Sequence, residues 1–314
     1  MWQLGGGFPN PSPAHTEGAR ETLGRIPSGS TVVIDGLALG AIPEVVVAEA
    51  RRLRLVGLVH HPLAEETGLD PATARVFFER ERTALAGTAR CVTTSRHTAR
   101  GLAGYGVSPA RIGVVRPGTD PSPLGWRRRP RTVEILCVAT LTPRKGHRIL
   151  LRALARLKRH RWHLTCVGSL DRSPATARAI LAECGRLGLA GRVTFRGEVD
   201  DAALAACYRR ADLFVLASFH EGYGMALAEA LARGLPVVST RAGAIPETVP
   251  ATAGLLVGPG DVRGLSRALD RVLGETTLRA LLAAGARRAR RTLPSWDSSA
   301  RGFAAELLLV GEGG

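Results

Sequence analysis

Residues 213–230 read LFVLASFHEGYGMALAEA, and this stretch decides the fold class. It begins with a short apolar run, Leu213–Ala217, continues through a loop that holds Gly222 and Gly224, and ends in a segment rich in Ala, Leu and Glu. An unbroken apolar run of this length is typical of a strand buried on both faces of a parallel sheet. The segment that follows is typical of a helix. A strand, a loop and a helix in this order predict an α/β protein, in which ligands bind at the carboxyl ends of the strands.

The same alternation of short apolar runs with longer helical segments extends along the chain, so we predict two α/β domains with parallel sheets. In the first half, the predicted strands are Thr31–Ile34, Leu55–Val59, Arg90–Thr93 and Ile112–Val115, and the predicted helices are Pro43–Leu53, Pro71–Ala86 and Arg96–Ala103. In the second half, the predicted strands are Val133–Ala139, His163–Val167, Arg192–Phe195, Leu213–Ala217, Pro236–Ser239 and Gly254–Val257. The helices between and after them are predicted at Gly146–Lys158, Pro174–Leu187, Asp201–Arg210, Met225–Arg233, Val262–Leu273, Thr277–Arg290 and Asp297–Leu308.

A segment rich in Pro, Gly and charge separates the two halves and is typical of a linker. We predict a first domain over residues 1–123, a linker over 124–131, a second domain over 132–294, and a C-terminal segment over 295–314 whose helix could pack back on the first domain. The residues before Thr31 are expected to be irregular. Two α/β domains joined by one linker predict a cleft that holds the ligand.

The 314 residues are 45% hydrophobic and 22% charged, which suits large folded cores and excludes a disordered or fibrous chain. The start has neither a basic region nor an apolar core, and no apolar run has the length of a membrane span. We therefore expect a cytoplasmic protein. The cysteines lack paired spacing and have no histidine at metal-ligand spacing, so we expect reduced core residues at Cys91, Cys137, Cys166, Cys184 and Cys207.

The chain has 43 Lys and Arg residues against 27 Asp and Glu residues, which gives a formal net charge of +16. Of these cations, 41 are Arg, spread over many predicted helices, and two are Lys, at Lys145 and Lys158. Only 4% of residues are aromatic, whereas binding single-stranded nucleic acid relies on stacked aromatics. We therefore expect no nucleic-acid partner. A weak attraction to an anionic membrane, at the inner membrane face, stays open. Glu79 and Glu81 are expected on a solvated helix face.

Two glutamates frame the loop after the strand Leu213–Ala217: Glu221 precedes the predicted helix, and Glu229 lies inside it. A carboxylate can accept paired hydrogen bonds from sugar or ribose hydroxyls. Between them, Gly222 and Gly224 let backbone amides approach an anion, and the helix N-terminus favours a phosphate. The alternative is a pair of solvated surface glutamates.

A second loop, at the end of the strand Val133–Ala139, carries the adjacent cations Arg144 and Lys145. Because arginine replaces lysine almost everywhere else in this chain, a lysine here favours binding of a diphosphate oxygen by a compact ammonium. A basic turn that merely precedes a helix is the alternative.

Two further loops are weaker candidates. Gly197 and Val199 follow a predicted strand, and their backbone could contact the flat face of a nucleotide base. In the first half, His60 or His61 ends a predicted strand, where an imidazole could hydrogen-bond a sugar hydroxyl. A structural histidine bonded to the backbone is the alternative.

These motifs resemble those of the retaining family-4 glycosyltransferases, or glycosyl transferases group 1, which have the GT-B fold. The resemblance covers roughly Thr132–Arg291, through the Pro143–Gly146 turn, the two glutamates, and the segments Gly234–Val238 and Gly254–Val257. It is weaker over Val32–Asp120. It implies two doubly wound Rossmann-type domains facing a cleft, the first of them shortened at its N-terminus.

The resemblance also implies roles for individual residues. Glu221 matches the glutamate that holds the donor sugar, Glu229 the one that binds the ribose, and His60 the first-domain histidine near the reacting sugar. The loop amides of Gly222, Tyr223 and Gly224, together with Arg144 and Lys145, match the diphosphate site. The implied enzyme is a hexosyltransferase that moves a sugar from a nucleotide diphosphate sugar to an unidentified acceptor with retention, without a metal or other cofactor.

Two departures from the family pattern leave alternatives open. Thr140 stands where many members have a diphosphate-binding arginine, and we expect that roughly one or two opening strand and helix units of the family's first domain, with their glycine-rich loop, are missing before Thr31. The alternative function is therefore a nucleotide-sugar-binding or partner protein that has lost catalysis. A nucleotide-sugar epimerase or phosphorylase of the same architecture is a further alternative within enzymes.

Overall fold

A computed structural model describes residue 4, residues 7–125 and residues 132–311 of the chain. The chain divides into two compact units: the first is Met1–Pro117 with Trp296–Gly314, and the second is Gly118–Ser295. The strands, all in parallel pairing, are β1 (Thr31–Asp35), β2 (Arg54–Val59), β3 (Arg90–Thr93), β4 (Ile112–Val114), β5 (Val133–Val138), β6 (Trp162–Val167), β7 (Val193–Phe195), β8 (Leu213–Leu216), β9 (Val237–Thr240) and β10 (Gly254–Val257).

The helices follow most strands, as crossover connections require. They are α1 (Pro13–Gly24), α2 (Gly36–Leu39), α3 (Pro43–Glu49), α4 (Pro71–Ala86), α5 (Arg96–Gly101), α6 (His147–Ala155), α7 (Pro174–Arg186), α8 (Asp201–Arg210), α9 (Met225–Ala232), α10 (Ile245–Thr248), α11 (Val262–Gly274), α12 (Thr276–Ala289) and α13 (Trp296–Gly311). Among the described residues, each of these helices is too short or too polar to cross a bilayer.

The sheet of the second unit has the strand order β10-β9-β8-β5-β6-β7. The chain builds outward from β5 in one direction, through β6 and β7, and then returns to place β8 on the other side of β5. All four residues of β8 and of β9 are buried, which explains the unbroken apolar run of β8. The reversal between β5 and β8 is the switch point at which open α/β sheets bind ligands, and the loops after these two strands carry the candidate residues.

The sheet of the first unit has the order β1-β2-β3-β4. Adjacent residues of β2 point to opposite faces: Leu55 lies in a core cluster with residues of α1, α3 and α4, whereas Val56 packs with Val92 and with Val310 of α13. The last helix therefore covers one face of the first unit's sheet.

The first residues of the chain differ from the expectation of an irregular segment before Thr31, because α1 spans Pro13–Gly24. The Ser12 side chain accepts a hydrogen bond from the His15 amide at 3.3 Å, and proline occupies the first turn. A serine cap followed by proline is a helix-start signal that the surrounding Gly and Pro residues obscured. The one-turn helices α2 and α10 were also not predicted.

Residues 118–125, which include the start of the predicted linker, belong to the second unit. The Gly125 amide donates to the carbonyl of Arg233 at 2.9 Å, and Arg290 donates to the carbonyl of Ser122 at 2.8 Å. Most of the predicted linker 124–131, namely residues 126–131, lies outside the described residues, so the linker stays a prediction.

All five cysteines are buried and free, as expected for reduced core residues. The expectation for Glu81 is wrong: it is 5% exposed, on the inner face of α4. Its carboxylate accepts hydrogen bonds from the amides of Leu63 and Ala64, at 2.6 and 3.1 Å, in the short 3-10 helix after β2. Burial raises the pKa of Glu81 to about 7 despite these hydrogen bonds. Glu79, two residues earlier, is exposed as predicted and pairs with Arg82.

The buried carboxyl of Glu81 makes the stability of the protein depend on pH. Because the native state raises its pKa from 4.5 to about 7, the native state binds the proton more tightly than the unfolded state. The stabilising contribution is complete below about pH 4.5 and is lost as the pH rises through about 7, a fall of at most about 3 kcal/mol. We expect Glu81→Gln to remove this fall and Glu79→Gln to retain it. Urea denaturation followed by circular dichroism between about pH 5 and about pH 8 measures it, and an unchanged slope in Glu81→Gln would contradict the assignment.

Candidate functional site

The loop after β5 turns sharply at Gly146, which separates the 3-10 helix Pro143–Lys145 from α6. Gly146 has a φ of +66°, a conformation that favours glycine. A Cβ added there would lie 2.0 Å from the carbonyl oxygen of Ala217, at the end of β8. A glycine is therefore required for the β5 loop to pack against the β8 loop.

This packing brings Lys145 and Glu221 together, as an ion pair at the switch point of the sheet. Lys145 Nζ donates to Glu221 Oε1 at 2.7 Å, and the Ser218 hydroxyl donates to the same oxygen at 2.6 Å. Arg144 Nη1 donates to the carbonyl of His220 at 3.1 Å and lies 3.9 Å from Glu221 Oε2. The Glu221 side chain is 8% exposed, so its charge depends on these partners.

The backbone around Glu221 is fixed from two sides. The Phe219 amide donates to the carbonyl of Arg144 at 2.7 Å, which ties the loop to the β5 turn. On the other side, the Ala244 amide donates to the carbonyl of Glu221 at 2.8 Å, and a Cβ added at Gly243 would lie 2.3 Å from that oxygen. Main-chain contacts therefore hold the loops after β5, β8 and β9 together around Glu221 and fix the position of its backbone.

The predicted glycine loop precedes α9. Gly224 has a φ of +87° and occupies the N-cap position without a capping side chain. Tyr223 is buried, and its carbonyl accepts a hydrogen bond from the Thr248 hydroxyl at 2.7 Å. Gly222 lies between Glu221 and Tyr223 and is half-buried. The N-terminal end of a helix carries a partial positive charge, so this loop suits an anion.

Glu229 lies in α9, and its carboxylate is held by Tyr208 of α8. The Tyr208 hydroxyl donates to Glu229 Oε2 at 2.9 Å, and its fully buried ring stacks on Phe214 at a centroid distance of 6.0 Å. Burial and the neighbouring Glu229 charge raise the pKa of Tyr208 well above its usual value, so the hydroxyl stays protonated and a donor. Tyr208 was not among the candidates from the sequence, where it reads as a core aromatic.

Gly197 and Val199 follow β7, two strands away from β5 in the sheet. Gly197 has a φ of +68°, and its carbonyl accepts from the Gly168 amide at 2.9 Å. Val199 is half-buried against the core of the second unit. These two residues thus lie on the β6 and β7 side of the sheet, and their role stays a prediction.

His60 belongs to the first unit, where it follows β2. Its Nε2 lies 3.2 Å from Oδ2 of Asp35, the last residue of β1, and both side chains are about half exposed. The hydrogen bond from His60 is the largest cause of a lowered pKa for Asp35, which keeps that carboxylate charged. The neighbouring His61 lies 3.8 Å from Glu66. Asp35 was missed in the sequence, although an acidic residue at the end of a strand next to Gly36 was available as a signal.

Residues 132–275 match the model of a family described as glycosyl transferases group 1. The chain is 31% identical over 311 residues to MMP alpha-(1->4)-mannosyltransferase of Mycolicibacterium hassiacum, covering 94% of this chain and 74% of that protein. It is 34% identical over 262 residues to D-inositol 3-phosphate glycosyltransferase of Thermomonospora curvata, covering 76% of this chain and 60% of that protein. The chain therefore spans about three fifths to three quarters of the length of these relatives.

Solved structures share the fold at lower identity. Sucrose-phosphate synthase from Thermosynechococcus elongatus matches with a TM-score of 0.80 and 22% identity, covering 95% of this chain and 77% of that chain. Alr3699/HepE from Anabaena, solved in complex with UDP and glucose, matches with a TM-score of 0.78 and 20% identity, covering 94% of this chain and 82% of that chain. These likenesses confirm the predicted GT-B-like α/β fold class. The sheet of the second unit is doubly wound, whereas the sheet of the first unit, with the order β1-β2-β3-β4, shows no reversal of direction.

Because Gly146 packs closely against the Ala217 carbonyl, a methyl group added at residue 146 should lower the free energy of unfolding. Gly146→Ala combines a strained φ with a clash against a backbone oxygen, so we expect the free energy of unfolding to fall by about 3 kcal/mol or more. Gly188→Ala is the matched control, because Gly188 has a φ of +65° but its added Cβ would meet the flexible tip of Lys158 at 3.2 Å. The control should lose about 1–2 kcal/mol. Equal losses for the two variants, measured by denaturant unfolding, would contradict the role given to the contact.

Proposed function

This chain belongs to the glycosyl transferases group 1, and on that premise we propose that it transfers a sugar from a nucleotide diphosphate sugar to an acceptor with retention of anomeric configuration. The observation that carries the proposal is the Lys145–Glu221 pair at the switch point of the second sheet. A cation and a carboxylate in contact suit a diphosphate and the sugar attached to it. The Anabaena neighbour, whose structure contains UDP and glucose, supports a nucleotide sugar as the donor.

The diphosphate is bound by positive charge from two loops. Arg144 and Lys145 supply two cations against the single carboxylate of Glu221, so the cluster has an excess of one positive charge. The loop before α9 adds backbone amides and the positive end of the helix dipole. Fixed cations and amides of this kind stabilise the charge that develops on a leaving diphosphate. The transfer then needs no metal ion.

Glu221 changes partners when the donor binds. In the free protein, its Oε1 accepts from both Lys145 and Ser218. When Lys145 turns to a phosphate oxygen, one position on Oε1 becomes available for a hydroxyl of the donor sugar. The interlocked backbone keeps the carboxylate in place during this exchange, so the sugar is held without reorganisation of the loop.

Glu229 binds the ribose of the nucleotide. Tyr208 occupies Oε2 of this carboxylate, which fixes its orientation and leaves Oε1 to accept from ribose hydroxyls. Two parts of the donor are therefore bound by different residues: Lys145 and Arg144 bind the diphosphate, whereas Glu229 binds the nucleoside part.

The first unit contributes His60 to the reacting sugar. Asp35 contacts Nε2 and so orients the imidazole, which can hydrogen-bond a sugar hydroxyl. Asp35 is engaged with His60 and with the Leu37 amide at 2.9 Å, so we assign it to positioning and not to nucleophilic attack. Retention then arises from attack of the acceptor on the face that the diphosphate leaves, with no covalent sugar intermediate.

Two substitutions test the assignment of the catalytic residues. Glu221→Gln and Lys145→Ala should each lower kcat by about 10²–10³-fold, because Lys145 stabilises the charge on the leaving diphosphate and Glu221 holds the donor sugar in place. Lys158→Ala is the matched control, since Lys158 is exposed in the turn after α6 and the variant should have wild-type turnover. Sugar release from a panel of nucleotide diphosphate sugars, assayed with a chelator present, gives the rates. Unchanged turnover in both site variants would refute the assignment.

A binding experiment distinguishes the residues that bind the diphosphate from the residue that binds the ribose. In calorimetric titrations, Lys145→Ala should weaken both inorganic diphosphate and nucleoside diphosphates by about tenfold or more, because a charged hydrogen bond is lost. Glu229→Ala should weaken nucleoside diphosphates alone. A loss of inorganic diphosphate binding in Glu229→Ala would contradict its assignment to the ribose.

The same titrations distinguish the proposed enzyme from a binding protein of the same family. Tight binding with turnover supports the transferase, and analysis of the released or transferred sugar reports its anomeric configuration. Tight binding of nucleotide sugars without turnover, with and without candidate acceptors, would replace the transferase by a nucleotide-sugar-binding protein. Absence of binding would contradict both.

A further inference from the structure

A buried cluster of two thiols and one imidazole lies in the second unit, apart from the residues assigned above. Cys137 of β5 and Cys166 of β6 are register partners on neighbouring strands. His147 is the first residue of α6. One Sγ or ring nitrogen from each of the three lies within 4.8 Å of the other two, and each residue is at most 2% exposed. The sequence has no histidine at metal-ligand spacing from the cysteines, but the fold brings His147 near Cys137 across a gap of ten residues.

The imidazole of His147 is poorly satisfied by the protein. Its Nε2 lies 3.8 Å from Cys137 Sγ, which is a weak contact, and its buried Nδ1 has no hydrogen-bond partner among the described residues. Buried polar groups are nearly always paired, because an unpaired one costs about 1–3 kcal/mol. An apolar side chain at position 147 would avoid that cost. Nε2, which has only the weak contact to Cys137 Sγ, is therefore available to a ligand that the three side chains share.

We propose that Cys137, His147 and Cys166 bind a divalent ion that prefers thiolates, with Zn²⁺ as the test ion. Binding forms two bonds to Sγ, one to the imidazole and a fourth to a water molecule, and it releases the two thiol protons to solvent. Two thiolates balance the charge of a divalent ion, so the complex adds no net charge to an apolar core. A monovalent ion would leave one negative charge uncompensated there.

The geometry allows this ligand set. In a tetrahedral zinc site with bonds of about 2.3 Å to sulfur, ligand atoms lie about 3.8 Å apart. The observed limit of 4.8 Å needs only small side-chain rotations to reach that spacing. The strands fix two ligands, and the left-handed turn at Gly146 fixes the third at the start of α6.

An ion at this position joins β5, β6 and α6, and its imidazole ligand lies two residues after Lys145. It takes no part in the transfer reaction, so the inference does not depend on the proposed function. Its expected effect is to stabilise the second unit and to hold the turn that carries the diphosphate cations.

The test measures bound metal directly. The full chain is unfolded under reducing conditions, refolded with ZnCl₂ or CoCl₂, and freed of excess metal by gel filtration. We expect about one equivalent of zinc, a sulfur-to-cobalt charge-transfer absorption in the near ultraviolet, and a Tm several degrees above that of the metal-free protein. Cys137→Ala, Cys166→Ala and His147→Ala should each lose the metal. Cys91→Ala and Cys207→Ala are matched controls that remove buried cysteines outside the cluster and should keep it.

The cobalt spectrum of the unsubstituted protein keeps the test decisive if a cluster variant fails to fold. A protein without bound metal, a cobalt complex without the thiolate band, or zinc retained in both Cys137→Ala and Cys166→Ala would each overturn the proposal. Loss of zinc in the Cys91→Ala control would also overturn it, because the ion would then be bound elsewhere.

Discussion

The backbone contact between Gly146 and the carbonyl of Ala217 is the constraint on which the second unit's site depends. The strand order places β5 beside β8, so the loops that leave them meet at one edge of the sheet. Because residue 146 has no side chain, these loops approach within backbone distance, and the amide of Phe219 reaches the carbonyl of Arg144. Lys145 and Glu221 then contact each other as a consequence of main-chain packing. Their alignment is built into the fold before any ligand arrives.

The ion pair between Lys145 and Glu221 is stable only because each charge has partners. Removing a carboxylate and an ammonium from water is costly, and the cost is recovered only if both ions have well-placed partners. Glu221 has Lys145 and the hydroxyl of Ser218, while Arg144 adds a second, more distant cation. The carboxylate of Glu221 balances one of the two cations, which stabilises the pair in the free protein. The remaining positive charge favours an anion. The net charge of +16 on the whole chain adds an attraction for anions at longer range.

Much of the fold could be predicted because buried parallel strands are short apolar runs, and the candidate residues followed from strand ends. Apart from Glu81, the missed features depend on information that periodicity does not carry. Glu81 follows Phe77 by four residues and precedes Leu85 by four, so its spacing placed it on the apolar face although its charge argued for solvent. The meeting of Cys137 with Cys166 depends on strand order and register, which single runs do not specify. Tyr208 supports Glu229 through a hydroxyl at the edge of an otherwise apolar core.

The connection of α13 to the first unit has a consequence for how the protein forms. The chain leaves the first unit after Pro117, completes the whole second unit, and returns at Trp296. During synthesis, the apolar face at Val56 and Val92 therefore emerges from the ribosome long before the helix that covers it. The second unit can finish folding while the first is still incomplete. This order leaves a nascent chain with an exposed sheet face for the time that about 180 residues take to be made, at about 5–20 residues per second.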